Sequence, residues 1–506
     1  MSRATVGADK AQDPLVMALD VGSSNVRAIL FDGQGRMVEG CAVTRPSEPA
    51  AGEGSEFDAE RLLEIVFDCI DDLLGRSRVF ASKIGAVSVC TFVGNILGTD
   101  RAGRAVTPLF YYADDRGGRQ AERLRASLDP GIYHQRTGCF IHPAYLPVRL
   151  AWLADKRPDA FEKAADWISF GEYLERRLFG EAAVSLSVAS WTGLLDRRRL
   201  AWDTETFEVL PVRPEQFSAL TDGDQPRLGL RGAFASRWPR LDHLPWYPAV
   251  ADGAAANIGS GCVAPDCVAL TIGTSSAVRA VVPGTPEHVP DGLWCYRVDA
   301  GLSLLGGALT EGGGVFAWLK RVLRLPADED IDRAVALLPP DGHGLTVLPL
   351  LAGERSPGWA GKSVGTIQGL TAATTPEQIV RAFLESIACR IAMVFDSLRP
   401  HLAAPARVIA SGGALCASAA WQQVVSDALG VPLEISEVPQ ASARGSALMA
   451  LKALGVVADY EQAPKPQGRM IEPIGENHEK YKRVIERQDR LYRALARRAA
   501  GERAAG

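Results

Sequence analysis

The sequence has no Cys-x-x-Cys pair, no long apolar run and no excess of basic charge, and each absence removes a class of function. Its nine cysteines, an odd number, stand at positions 41, 69, 90, 139, 262, 267, 295, 389 and 416. That spacing suggests neither a disulfide framework nor a zinc site, and a reducing compartment is expected. The start, Met1 to Pro14, is polar and lacks the apolar core of a signal peptide, and no stretch approaches a membrane span. A cytoplasmic protein with no membrane partner is therefore expected. Net charge is −5 with both signs interspersed, which gives no basic face for nucleic acid. Any bound phosphate must be held by local amides and a metal.

What is present is an ordinary globular composition, 47% hydrophobic and 23% charged, in a chain of 506 residues that is too long for one core. One stretch occurs twice. Met17 to Phe31 reads MALDVGSSNVRAILF and Val268 to Val282 reads VALTIGTSSAVRAVV. Each copy is an apolar strand, a glycine with hydroxyl residues, and a second strand bearing an arginine, which is the pattern of a hairpin with a special turn. Glycine admits a ligand close to the backbone, while amides and hydroxyls donate to anionic oxygens. Two such turns half a chain apart suggest duplicated halves clamping one nucleotide's phosphates.

Strands followed by helices repeat along the chain, which predicts an α/β fold. Four segments are expected: a disordered lead over 1–15, a first lobe over 16–250, a second lobe over 251–475 and a charged, solvated helical tail over 476–506. In the first lobe, strands are expected at Val16–Asp20, Val26–Phe31, Met37–Val43 and Ile84–Cys90, with an amphipathic helix over Asp58–Leu74. One helix is expected over Asp159–Phe179, within a region that shapes a pocket. In the second lobe, the run Gly306 to Gly314 opens a helix through Trp318, and free amides there make a natural phosphate seat. The best-marked helix runs from Thr375 to Leu398, with Thr375 and Gln378 as a capping box and Pro376 at its first position.

The most informative acid is Asp252, in AVADGAAANIG at the seam between the halves, flanked by small apolar residues. A lone carboxylate in such a setting suits the base of a phosphoryl transfer, accepting a proton from an attacking hydroxyl. Taken together, Asp20-x-Gly-Ser-Ser-x-x-Arg27, Asp252-Gly-x-x-x-Asn257, Gly273-Thr274, Gly306-Gly307 to Trp318 and Gly412-Gly413 to Gln422 resemble the FGGY carbohydrate kinases from about residue 16 to about 456. The resemblance implies two ribonuclease H-like domains of the actin-like ATPase fold with a cleft between them, and ATP-dependent phosphorylation of a sugar, sugar acid or polyol. It implies Asp252 as general base, also touching substrate, and Asp20 with Asp252 as holders of Mg²⁺ through water. Ser23 and Ser24 match the first phosphate loop and Gly273 and Thr274 the second. Gly313, Gly413 and Ala417 match positions beside the nucleotide, with Ala417 where some members carry Asn.

Within the family, Asp291 to Arg297, Thr271 to Arg279 and Gly353 to Trp359 look most like the gluconokinase branch, so gluconate is the first expected acceptor. Arg279 and Arg355 are both candidates to meet a substrate carboxylate. Three departures fall near the implied acceptor pocket: Val93-Gly94 where a histidine is usual, Tyr112-Ala-Asp114-Asp-Arg116 where Trp-x-Asp-x-Arg is usual, and Thr310-Glu311 where gluconokinases carry Asn. Val93, Gly94, Tyr112, Asp114 and Arg116 are accordingly the expected acceptor contacts, and Gly94 is expected to leave room for a bulkier acceptor. The departures keep xylulose, ribulose or a polyol open as substrates. A nucleotide-binding regulator on the same fold is the rival class. A homodimer is open as the assembly.

Overall fold

The computed structural model describes residues 4–49, 56–77, 80–114, 116–361, 363–404, 406–464 and 468–504. Two sheets form its frame. In the first, Thr5–Val6, Met37–Pro46, Asn25–Phe31, Leu15–Val21, Ile84–Thr91 and Val250–Ala251 lie side by side in that order. In the second the order is Trp294–Arg297, Leu302–Leu309, Ser276–Pro283, Cys267–Ile272, Arg407–Ser411, Leu433–Ile435 and Arg469–Ile471. Within each, three antiparallel strands are followed by two parallel additions, and the repeated hairpin supplies the central pair. This is the ribonuclease H-like arrangement of the actin-like ATPases, present twice. Every residue of Leu15–Val21 is buried, because helices cover both faces of the sheet.

Local signals explain the elements that flank the sheets. Asp58 accepts from the Glu60 and Arg61 amides and starts Ala59–Arg76. Thr375 and Gln378 form a reciprocal capping box on Pro376–Leu398, whose apolar residues fill the second core.

Four expectations change. The lead is ordered from Ala4: Thr5 and Val6 pair with Met37 and Val38, because the edge of the first sheet offers unpaired backbone there. Residues 1–3 lie outside the described residues. The single helix expected over Asp159–Phe179 is Pro158–Lys163, a strand Asp166–Ile168 and a helix Phe170–Phe179. Ser169 and Glu172 restart the helix with their own capping box.

The boundary at 250 also moves. Val250–Ala251 belongs to the first sheet and leads directly into Asp252–Gly259. That short helix crosses Ala441–Ala453, which comes from the second half of the chain yet packs on Leu15–Val21 and Ile84–Thr91 of the first. The crossing needs bare backbone: a Cβ on Gly445 would stand 1.7 Å from the Ala255 carbonyl oxygen, and one on Gly259 1.8 Å from that of Ala441.

The charged tail is docked, not solvated all round. In Gly475–Ala504, Tyr481 and Gln488 are buried against the second lobe. Tyr481 Oη donates to Glu385 (3.1 Å) and Gln488 Nε2 to the Val347 carbonyl (2.9 Å). Asp341, His343 and Glu385 bring ligand atoms within 4.8 Å of one another. Arg487 pairs with Asp341 and Arg381 with Glu385, so the cluster is an ion-pair anchor for this helix. Residues 505–506 lie outside the description. Among the described residues, no helix is long and apolar enough to cross a membrane.

Candidate active site

The two hairpin turns join the central strands of the two sheets. In the first, the Gly22 amide donates to the Asn25 carbonyl (2.9 Å), which leaves Ser23 and Ser24 at the tip. Ser47 braces it through Oγ to the Gly22 carbonyl (2.6 Å). In the second, the Gly273 amide donates to the Ser275 carbonyl (2.9 Å), and Thr274 and Ser275 are exposed.

The glycine-opened helix Gly313–Val322 does not present free amides, contrary to expectation. The Gly313 amide donates to the Gly273 carbonyl (2.7 Å) and the Gly314 amide to the Thr274 carbonyl (3.0 Å). These bonds consume the donors that a phosphate would take, and they fix the second turn instead. The glycines are required by closeness: a Cβ on Gly313 would meet the Ala414 methyl at 2.6 Å. Gly313 thereby lies beside the Gly412-Gly413 turn. Gly412 (φ 101°) presses on Ile272, while Gly413 and Ala417 are exposed, with open space at the Gly413 Cα. The second turn, Gly313 and the stretch from Gly413 to Ala417 thus form one exposed shelf on the second lobe.

The first sheet carries a pair of carboxylates, of which Asp252 feels the charge of Asp20. Asp252 is the first residue of its helix and takes a hydrogen bond from the Gly253 amide at Oδ1 (2.7 Å). Asp20, at the end of its strand, is bound by Arg27 (3.0 Å) and by the Cys90 thiol (3.4 Å). Burial raises the Asp20 carboxyl even so. Burial, reinforced by the charge of Asp20 and opposed by Arg279, lifts Asp252 to about 7. Such a group is half ionised near neutrality and accepts a proton readily.

The linkage has a definite sign. Folding raises this carboxyl from 3.8 to about 7, so the native state keeps a proton that the unfolded chain has released between those values. The stability contributed by Asp252 is present below the lower value and lost as pH rises through the upper one. Asp252→Asn is therefore expected to melt above wild type at pH 8, with the gap narrowing toward pH 5. A variant that melts lower at pH 8 contradicts the raised carboxyl.

The expected acceptor residues divide. Tyr112 is 41% exposed, its hydroxyl meets the Ser23 side chain, and the charges of Asp252 and Arg355 both reach it. Val93 is buried. Gly94 leaves no room: its φ is +62°, and a Cβ would stand 3.1 Å from that of Tyr112 and 3.2 Å from the Ala144 carbonyl. Tyr112 fills the space that the missing side chain was expected to open. Asp114 and Arg116 face each other in a double hydrogen bond (2.8 and 2.7 Å). Arg116 also pairs with Glu56 and lies over the Trp152 ring, 4.4 Å away, so both side chains brace the Tyr112 loop. Asp115 lies outside the described residues.

Two residues escaped the sequence reading. Arg149, buried, donates to the Gly94 (2.6 Å), Pro143 (3.1 Å) and Asp114 (3.4 Å) carbonyls and so ties three loops together. Burial lowers its guanidinium to about 10. The signal was an arginine among the apolar residues of Leu146–Lys156. Trp191 stacks on Tyr296 (3.8 Å between centroids) and lies against Gly253, the residue after Asp252.

The FGGY family of carbohydrate kinases matches the chain twice, by its N-terminal domain over residues 15–259 and by its C-terminal domain over residues 268–454. The gluconokinase of Bacillus subtilis is 24% identical over 486 residues, covering 93% of this chain and 94% of that protein. A glycerol kinase of Gloeobacter violaceus is 28% identical over 470 residues, covering 90% and 92%. The crystal structure of gluconate kinase from Lactobacillus acidophilus matches with a TM-score of 0.88 at 25% identity, covering 95% of this chain and 98% of that one. Duplicated sheets, paired turns and facing acids thus agree with two domain matches over nearly the whole chain: the protein belongs to the FGGY family of carbohydrate kinases.

Proposed function

We propose that the protein transfers the γ-phosphate of ATP to a hydroxyl of a sugar acid, with gluconate giving 6-phosphogluconate as the first acceptor to test. The observation that carries the reading is Asp252, a carboxyl lifted to about 7 that stands with Asp20 between two glycine-hydroxyl turns. The Gly253 amide occupies its Oδ1, leaving Oδ2 for the acceptor hydroxyl. As the hydroxyl oxygen attacks the γ-phosphorus, its proton passes to Asp252 and ADP leaves. Ser23 and Ser24 with Gly273 and Thr274 hold the phosphates in line, while Gly313, Gly413 and Ala417 bound the nucleotide.

Mg²⁺ fits the site. The charge of Asp20 raises the cost of ionising Asp252, and a cation held there would relieve it. Asp20 and Asp252 would hold the ion through water, and when bound it neutralises phosphate charge. ATP and sugar substrates are cytoplasmic metabolites, which supports that compartment.

A second reading, a neutral ketose or polyol as acceptor, is favoured by Glu311. Its buried carboxyl lies near Arg355 and offers that cation a counter-charge within the protein. ADP release with Mg·ATP and a panel of gluconate, other aldonates, xylulose, ribulose and glycerol separates the readings. The expected result is release that depends on an added aldonate. Release on neutral acceptors alone moves the substrate, and release with no dependence on any sugar overturns the proposal.

A further inference from the structure

The loop Gly353 to Trp359 leaves the second lobe and closes against the first. Trp359 stacks on Phe140, 4.0 Å between ring centroids, and meets His142 edge-on at 5.4 Å. Its indole N–H donates to the Gly292 carbonyl (3.0 Å). This loop places Arg355, half-buried, near His142 of the first lobe. One nitrogen, Nη2, donates to the Leu309 carbonyl (3.2 Å), whereas Nε is buried and has no hydrogen-bond partner among the described residues. Glu311 feels the charge of Arg355, but no salt bridge joins the two among the described residues. The same charge is felt by Tyr112, His142 and Tyr145, all of the first lobe.

Arg355 as a whole is half-buried, but a buried guanidinium nitrogen without a partner is costly unless something completes it. Arg279, the other candidate, also has a buried Nε without a partner among the described residues, but its charge is engaged by Asp252. Its Nη2 donates to Thr271 Oγ1 (2.9 Å). The reacting hydroxyl and the carboxylate are at opposite ends of an aldonate, so the group that holds the carboxylate must stand apart from the base, and Arg279, whose charge acts on Asp252, does not. Beside Arg355, burial lowers His142 to about 4, so this ring is neutral near pH 7. Its Nδ1 accepts from the Ala144 amide (3.2 Å), which leaves a proton on Nε2 to donate.

We propose that Arg355 binds the carboxylate of a sugar-acid acceptor across the closed cleft, with the His142 ring as a second donor, and so selects aldonates over neutral polyols. The assignment rests on the kinase reading and specifies its substrate class. It also couples substrate charge to lobe closure, because Arg355 comes from one lobe and His142 and Tyr112 from the other.

The test compares gluconate with glucitol, which differ only in carboxylate against hydroxymethyl at one end. The readout is the ratio of the two kcat/KM values in wild type, Arg355→Lys and Arg355→Met. Wild type is expected to favour gluconate. Arg355→Met should lower the ratio about 100-fold, mostly through the gluconate KM, because it removes a charge-assisted bidentate contact. Arg355→Lys should restore part of it, and this conservative variant keeps the comparison informative if the methionine variant folds poorly. An unchanged ratio in both variants overturns the assignment, as does a wild type that uses polyols and gluconate equally well; neither touches the kinase reading. Absence of ADP release on every sugar overturns the kinase reading and the Arg355 assignment with it.

Discussion

Asp252→Asn is expected to lower kcat by about 10³-fold while ATP still binds with near wild-type affinity. Proton removal by a positioned base is worth roughly 10²–10⁴ in rate. The amide cannot take the proton, and its NH₂ points a donor at a hydroxyl that must itself donate. The nucleotide shelf formed by Gly273, Gly313 and Gly413 does not involve this side chain, so titration calorimetry with ATP should register little change. Turnover within tenfold of wild type contradicts the role. The raised carboxyl adds a shape to the wild-type profile: kcat/KM should fall as pH drops below about 7, a limb that the Asn variant lacks.

Gly445→Ala is expected to destabilise the protein by about 3 kcal/mol or more, with lost activity in whatever folds. The added methyl would sit 1.7 Å from the Ala255 carbonyl oxygen and 2.5 Å from its carbon. Both are backbone, so no rotamer relieves the clash and the two helices must separate. Asp252 is the first residue of the helix that would be displaced, which ties stability to catalysis. Gly413→Ala is the control, because nothing lies within 4 Å of the added Cβ. Thermal melts of both variants check this: a Gly445→Ala transition as high as that of Gly413→Ala contradicts the crossing geometry.

What the sequence made legible was whatever short-range chemistry encodes. The repeated hairpin, the capping box at Thr375 and Gln378, and the cap at Asp58 each depend on residues within a few positions of one another, and each formed where expected. What it did not make legible depends on partners far along the chain. The Gly313 and Gly314 amides read as free donors because their acceptors, Gly273 and Thr274, lie some forty residues earlier. Gly94 read as an opening because nothing local reveals that Tyr112 packs on it. Ala441–Ala453 read as second-lobe structure, although its small residues are there for a crossing with Asp252–Gly259 on the first sheet. Arg355 and Arg279 were equivalent in sequence, and only the engagement of Arg279 with Asp252 and the approach of Trp359 to Phe140 separate them.

The most direct measurement is ³¹P NMR of the protein with Mg·ATP and gluconate, run beside the Asp252→Asn variant. The expected spectrum gains the ADP signals and a phosphomonoester resonance split into a triplet by two methylene protons, as phosphate on the terminal hydroxyl requires. The variant should leave ATP unchanged over the same time. Inorganic phosphate in place of a phosphomonoester, or an equal product signal from the variant, would contradict phosphoryl transfer to gluconate with Asp252 as its base.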